Sequence, residues 1–289
     1  MQNPIVDPAP FGHYAPRGAC KFAVEIARRC AQGWGSKRIA FLMRSLALGR
    51  LAGRPVDVVA FGARMRLYPQ RSTAEKRLAF TPQYFDPRER ALLAERLTGD
   101  FVFLDIGASC GGYALFVAAL GGPRSRILAV EPHPEVFARL VYNIDESEFH
   151  NVKAVGCALL DIDGEATLFV NASNEGESSV RFVNADARVV PVRVPAKTLL
   201  TLAREEEFSR IDAMKIDIQG AESLVLVPFF AAAPRTLWPK LLLMEYGPLR
   251  GEDALEARLA EHGYREILRT RQNVAYAREQ GVGTDGRQT

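Results

Sequence analysis

Residues 101–112 read FVFLDIGASCGG, and this stretch decides the fold. FVFLDI is an apolar run too short for a helix, so it predicts a buried strand. The strand closes on Asp105, and Gly107 and Gly111 lie in the turn that opens the helical segment GYALFVAAL. Glycine there lets a ligand approach the backbone closely, at the carboxyl edge where open α/β sheets bind. The spacing then selects the ligand. A dinucleotide fingerprint, G-x-G-x-x-G, wraps backbone amides around a pyrophosphate at a helix N-terminus. Here the pattern is D-x-G-x-x-x-G, with a carboxylate just ahead of the glycines. A carboxylate in that place repels a pyrophosphate and suits a cofactor that carries an ammonium and a sulfonium. The bland alternative is a strand–turn–helix with purely structural glycines.

Downstream, strands and helices alternate from residue 100 to 278. RILAVE is a second buried strand, PEVFARLVYNI a helix with Pro134 in its first turn, and VKAVGCAL a third strand. DIDGEATLFV and ARVVPVRV read as a β-rich insertion around the polar loop NASNEGESS. IDAMKIDI, KLLLMEY, REILRT and QNVAYA supply further strands, with helices at AESLVLVPFF and ALEARLAEHG. Such alternation implies right-handed crossovers and a mostly parallel sheet. Residues 279–289 hold a single apolar side chain, Val282, and are expected to be a disordered tail.

Upstream, residues 1–16 read as an irregular lead-in, and two helices follow at ACKFAVEIARR and, after a Ser36 cap, KRIAFLMRSLALGRLAG. VDVVAF and MRLYP around Gly62 suggest a hairpin. Asp86-Pro87 marks a turn before an amphipathic helix that ends ahead of Gly99. The expected organisation is a helical extension over 1–60, a hairpin and helix over 61–99, the binding domain over 100–278, and the tail.

Composition narrows the class. The chain has 289 residues, of which 48 % are hydrophobic, enough for one large α/β domain. No apolar run approaches the roughly 18 residues needed to cross a bilayer, and the start has no signal-peptide pattern. Cys20, Cys30, Cys110 and Cys157 are widely spaced, with no C-x-x-C and no histidine cluster, which argues against a zinc site or a disulfide framework. The expected compartment is a reducing cytoplasm. The net charge of +3 hides an asymmetry: residues 1–90 hold 16 Lys/Arg against 6 Asp/Glu, and the remainder 21 against 28. A basic segment joined to an acidic domain either attracts an acidic partner or membrane surface, or is simply a solvated face.

Two further elements add chemistry. Glu131 closes the second strand, 24 residues after Gly107, where a carboxylate can accept hydrogen bonds from both hydroxyls of a ribose. His133, two residues on, either flanks the nucleoside or is an exposed turn histidine. In MKIDIQGAE, Lys215 and Asp217 point to the same side of a strand by its period of two. Neighbouring strand ends converge on one crevice, so Asp217 should face the reacting end of the cofactor. A simple ion pair of Lys215 is the alternative. Glu245, closing KLLLMEY, arrives at the same edge one strand further on.

Taken together, FVFLDIGASCGGYALFVAAL, AVEPHPEVFARLVYNI, CALLDIDGEATLFV, and IDAMKIDIQGAESLVL followed by LLLMEY resemble the FkbM family of methyltransferases, over about Met65–Ala277. The resemblance implies a class I methyltransferase fold: a Rossmann-like sheet of seven strands, the last antiparallel, here behind a helical, basic N-terminal extension. It implies S-adenosylmethionine lying across Asp105, Gly107, Ala108, Ser109, Gly111, Glu131, Pro132 and His133, with Asp217 near the reacting end. The adenine would lie near Ala158 and Leu159. Family members usually carry Asn where Ser109 stands, a small polar exchange. They usually read K-I-D-x-E-G-A-E, and here Gln219 replaces that Glu. If that Glu serves the acceptor or proton removal, this chain has a different acceptor, slower turnover or another base. The first 60 residues match nothing in the family.

The mechanism expected is an in-line displacement at the sulfonium carbon, driven by alignment and desolvation. An alcohol is a poor nucleophile, which makes Asp217, or Glu245, the candidate base, with Lys215 orienting it or holding an acidic acceptor. FkbM relatives imply a hydroxyl acceptor on a sugar, a polyketide-type metabolite or a lipid- or glycan-linked group. No metal and no nucleic acid are expected, and the basic N-terminal helices are the place for a membrane or carrier contact. Two other readings compete: a non-catalytic cofactor-binding adaptor, and an NAD(P)-dependent oxidoreductase, against which the missing G-x-G-x-x-G argues.

Overall fold

The computed structural model describes residues 6–171, 189–245 and 253–278. Helix α1 (Gly18–Arg29) turns Cys20, Ala23, Val24 and Ala27 inward at the spacing of one helix face. Helix α2 (Trp34–Leu51) packs on it and buries only Ala40, Ala47 and Leu51. Strands β1 (Val56–Ala60) and β2 (Ala63–Leu67) form an antiparallel hairpin whose two turn residues, Phe61 and Gly62, both have positive φ. That is the tight hairpin turn whose twist matches its strands. The lead-in is irregular but tied down. The buried Arg66 pairs with the buried Asp57 at 2.8 Å, donates to the carbonyls of Asp7, Ala9 and Pro10, and lies against the rings of Tyr14 and Tyr142.

Helix α3 (Thr73–Phe80) begins where the Ser72 hydroxyl accepts the Glu75 N–H. The sequence reading above has no helix there, although Ser72 and Glu75 have the spacing of a capping box. A 3₁₀ turn, Pro82–Tyr84, leads to α4 (Pro87–Ala94), which stops short of the expected end before Gly99.

The core follows as β3 (Val102–Ile106), α5 (Gly112–Gly121), β4 (Arg126–Val130), α6 (Pro134–Ser147) and β5 (Val152–Val155). The run expected as one third strand divides at Gly156–Cys157. Its second part, β6 (Ala158–Leu160), leaves the main sheet and pairs with β8 (Val189–Thr198), which also pairs with β7 (Gly164–Asn171). This small sheet is the β-rich insertion. Residues 172–179 of its polar loop, like residues 279–289, lie outside the described residues. The chain then runs through α7 (Leu199–Glu205), β9 (Ala213–Ile216), α8 (Glu222–Ala232), β10 (Leu241–Glu245), α9 (Asp253–Glu261), β11 (Tyr264–Arg269) and β12 (Asn273–Arg278).

The main sheet has seven strands in the order β5-β4-β3-β9-β10-β12-β11. Five central and edge strands run parallel, and the last in the chain, β12, inserts antiparallel between β10 and β11. This is the arrangement the family resemblance implies. Alternate residues of each strand feed two cores. Phe103, Ala213 and Leu243 face the hairpin, α1, α3 and α5, while Leu104, Met214 and Leu242 face α7, α8 and α9. Burial on both faces explains why the strands read as continuous apolar runs. It also brings the ends of β3, β4, β9 and β10 to one edge, on the same side as α5.

Candidate active site

Asp105 sits within β3 one residue before its end, with its side chain on the α5 face, and is almost fully buried. Its Oδ2 accepts the N–H of Ala114, in the first turn of α5, at 2.9 Å, while Oδ1 is buried with no hydrogen-bond partner. Burial pushes the Asp105 carboxyl up to about 6; the Lys215 charge and the Ala114 N–H pull it back, and Asp217 adds to the rise. An unsatisfied buried acceptor costs on the order of 1–3 kcal/mol, so this oxygen is poised for a donor.

The turn after β3 is fixed by its glycines. Gly107 has φ +76°, and a Cβ there would lie 2.1 Å from the carbonyl oxygen of Asp217, so strands β3 and β9 approach at this point without a side chain between them. The Gly107 and Ala108 N–H groups both donate to the Val130 carbonyl at 2.9 Å. Ser109, at φ +51°, turns its N–H outward to Glu131 Oε2 at 2.9 Å. Glu131 Oε1 accepts the His133 N–H, also at 2.9 Å. The turn and the second strand end are thereby one unit. Burial lifts the Glu131 carboxyl up to about 7, against the pull of the His133 and Ser109 N–H groups and with help from the Asp105 and Asp217 charges. Each carboxylate oxygen retains a lone pair for a further donor.

His133 is not an exposed turn residue. It is buried and caps α6, its Nδ1 accepting the Glu135 N–H at 3.2 Å. Pro132 is half-buried beside it. Ala158 and Leu159 lie just past the end of β5, but their side chains are buried in apolar clusters, so they offer packing rather than polar contact.

The acceptor-side residues converge as well. Lys215, next to Asp105 across the β3–β9 register, is buried and donates to Asp217 Oδ2 at 3.0 Å. Burial lowers its pKa, but the Asp217 and Asp105 carboxylates outweigh this and raise it, so the lysine is held as a cation. Gln219, in the left-handed region at φ +56°, donates through Nε2 to Asp217 Oδ1 at 3.1 Å and to Glu245 Oε2 at 3.2 Å. One amide thus spans two carboxylates, where a third carboxylate would repel both.

Three residues at this edge escape the sequence reading. The Tyr113 ring lies 5.2 Å from Lys215 Nζ, and its hydroxyl donates to Asp86 Oδ2 at 3.0 Å. Asp86 also pairs with Arg77 at 2.9 Å. Tyr113 stands in the first turn after the glycines, a place that helix spacing alone points at the strand ends. Asp86 and Arg77 come from the N-terminal segment, and nothing local in the sequence places them over β9. Among the described residues, no group of three or more His, Cys, Asp or Glu is arranged to hold a metal ion.

The site therefore collects four carboxylates, Asp105, Glu131, Asp217 and Glu245, with one buried lysine, an excess of negative charge beside a glycine turn. Such a site favours a cationic ligand with hydroxyl donors and disfavours a pyrophosphate.

The model of the methyltransferase FkbM domain matches residues 105–266. No curated protein matches the chain. Solved structures that resemble it include a precorrin-6y C5,15-methyltransferase from Geobacter metallireducens GS-15, at 16 % identity, 66 % of this chain, 88 % of that one and a TM-score of 0.40. An rRNA methylase from Streptococcus thermophilus has 11 % identity over 67 % of this chain and 95 % of its own, with a TM-score of 0.41. The METTL16 MTase domain has 14 % identity over 92 % and 94 %, with a TM-score of 0.48.

Proposed function

The chain belongs to the FkbM methyltransferase family, whose cofactor is S-adenosylmethionine, and we propose that it methylates a hydroxyl group with Asp217 as the base. The residues fit that cofactor. The buried, unpartnered Asp105 Oδ1 beside the Gly107 turn is a natural seat for its ammonium, and Glu131 for its ribose hydroxyls. When bound, S-adenosylmethionine supplies a methyl group activated on a sulfonium. The chain's own work is to align, to exclude water and to remove a proton. Asp217 Oδ1 accepts from Gln219, and Lys215 fixes Oδ2, so the carboxylate is oriented while a hydroxyl approaches it. The acceptor class that suits this arrangement is an alcohol on a sugar, a polyketide-type metabolite or a lipid- or glycan-linked group.

The observation that carries the reading is the carboxylate excess around Asp105 and Glu131. Calorimetry tests it: S-adenosylhomocysteine should bind and NAD should not. Glu131→Ala should weaken S-adenosylhomocysteine by about 1.5–3 kcal/mol through loss of charge-assisted hydrogen bonds. Tight NAD binding with no heat from S-adenosylhomocysteine would overturn the reading. Cofactor binding with no transfer to any alcohol in a labelled-methyl screen would favour the adaptor reading instead.

Gln219→Glu tests the departure from the family pattern. The change replaces a donor to Asp217 and Glu245 with a third acceptor. It should destabilise the protein by about 1 kcal/mol. Methyl transfer to the chain's own acceptor should fall. A variant as stable as wild type would mean that the amide does not bridge the two carboxylates.

A further inference from the structure

Helix α2 is inverted relative to an ordinary surface helix. It hides Ala40, Ala47 and Leu51, with Met43 and Leu48 half-buried against the core, and leaves five large apolar side chains outside. Trp34 is 77 % exposed and Leu42 58 %, with Ile39, Phe41 and Leu46 also exposed, and Phe22 of α1 stands out at 64 %. On the helix, Trp34, Arg38, Leu42, Ser45, Leu46 and Gly49 share the face opposite Ala40 and Ala47, and all six are exposed. A monomer gains nothing by wetting this row.

Charge identifies what fits there. Between residues 17 and 54 the chain has nine Lys/Arg and a single acid, Glu25. Lys37 and Arg50 are exposed on α2 beside this face, and Arg38 stands within it, 4.8 Å from the Trp34 ring. An apolar stripe with Trp, flanked by basic side chains, is the pattern of a helix that lies in the headgroup layer of an anionic bilayer. Among the described residues, no helix is long and apolar enough to cross a membrane. We propose that the α1–α2 face docks this protein peripherally on an anionic lipid bilayer, with Trp34, Leu42 and Leu46 seated at the boundary between headgroups and acyl chains and Lys37 and Arg38 at the headgroups.

The surface adjoins the acceptor side. Phe41 packs edge-on against Tyr84, whose hydroxyl donates to the carbonyls of Cys30 and Ala31, and Tyr84 lies two residues before Asp86. On the reading given under Proposed function, the bilayer is then also a source of lipid-linked acceptors. The docking itself does not depend on that reading.

The test is co-sedimentation of the full chain with vesicles of phosphatidylcholine alone and of phosphatidylcholine with about 30 mol % phosphatidylglycerol. Binding to the anionic vesicles should exceed binding to the neutral ones by about tenfold or more. Trp34→Ser with Leu42→Ser should lower it by about tenfold or more, and Lys37→Glu with Arg38→Glu should abolish the preference for anionic lipid. These side chains are exposed, so melting temperature and S-adenosylhomocysteine heat should stay at wild-type values, which separates this proposal from the catalytic one. Equal binding to both vesicles, or wild-type binding by the Trp34/Leu42 variant, overturns it. So does a wild-type dimer that the same variant dissolves, since the face would then belong to a second copy of the chain.

Discussion

Asp217→Asn is expected to slow methyl transfer by about 10²-fold or more while S-adenosylhomocysteine affinity at pH 8 changes little. The substitution keeps the shape of the side chain, and its oxygen can still accept from Lys215 or Gln219. It removes the group that would take the hydroxyl proton. It also removes the carboxylate that meets Lys215 Nζ at 3.0 Å, leaving Asp105 as the lysine's nearest negative neighbour in the register. The loss should appear in kcat rather than in the fold. Single-turnover transfer of a labelled methyl group measures it on any alcohol the screen identifies. Wild-type rates would remove Asp217 as base and make Glu245 the next candidate, because Gln219 holds both carboxylates within one amide's reach. Loss of cofactor affinity in step with rate would place Asp217 in the cofactor site instead. Lys215→Ala separates the two uses of the lysine: a raised acceptor KM signals an acidic acceptor, and a lowered kcat signals orientation of Asp217.

The sheet was legible because its strands are short apolar runs closed by a charged residue, and because each carboxylate falls where β3, β4, β9 or β10 ends. Period two alone put Lys215 and Asp217 on one face, and the structure places them there within hydrogen-bond distance. The N-terminal half was harder to read. The long-range ties that hold it are single polar residues, Asp57 to Arg66, Glu75 to Arg139, and Asp86 to Tyr113, and no local pattern announces such partners. Helix α3 is short and draws its stability from tertiary packing of Leu78, Ala79 and Phe80. The division of the expected third strand at Gly156 is likewise a tertiary outcome, since β6 finds its partner, β8, some forty residues on. The Gln219 departure was visible as a letter, but its bridging of Asp217 and Glu245 depends on a left-handed backbone that only the fold reveals.

S-adenosylhomocysteine affinity is expected to fall by about 10²-fold or more between pH 8 and pH 5. Asp105 is raised to about 6 and Glu131 to about 7, burial being the chief cause in each. Their effect on the free protein has a definite sign. A carboxyl raised by folding contributes stability that is complete below its unfolded value and is lost as the pH climbs through the raised one. From these two groups the free protein is thus most stable near pH 4 and loses that contribution by about pH 7. The ligand reverses the preference, because an ammonium beside Asp105 and ribose hydroxyls on Glu131 favour the ionised forms. Binding below pH 7 must therefore expel protons, first from Glu131 and, below pH 6, from Asp105 as well. Affinity should drop by up to about tenfold per pH unit below 7 and more steeply below 6. Calorimetry in buffers of different ionisation heat reads both the affinity and the number of protons released. Asp217→Asn adds an internal control, since the Asp217 charge helps raise both carboxyls, and its removal should move the pH midpoint downward. An affinity that stays flat from pH 8 to pH 5, with no proton release, would mean that neither carboxylate touches the ligand.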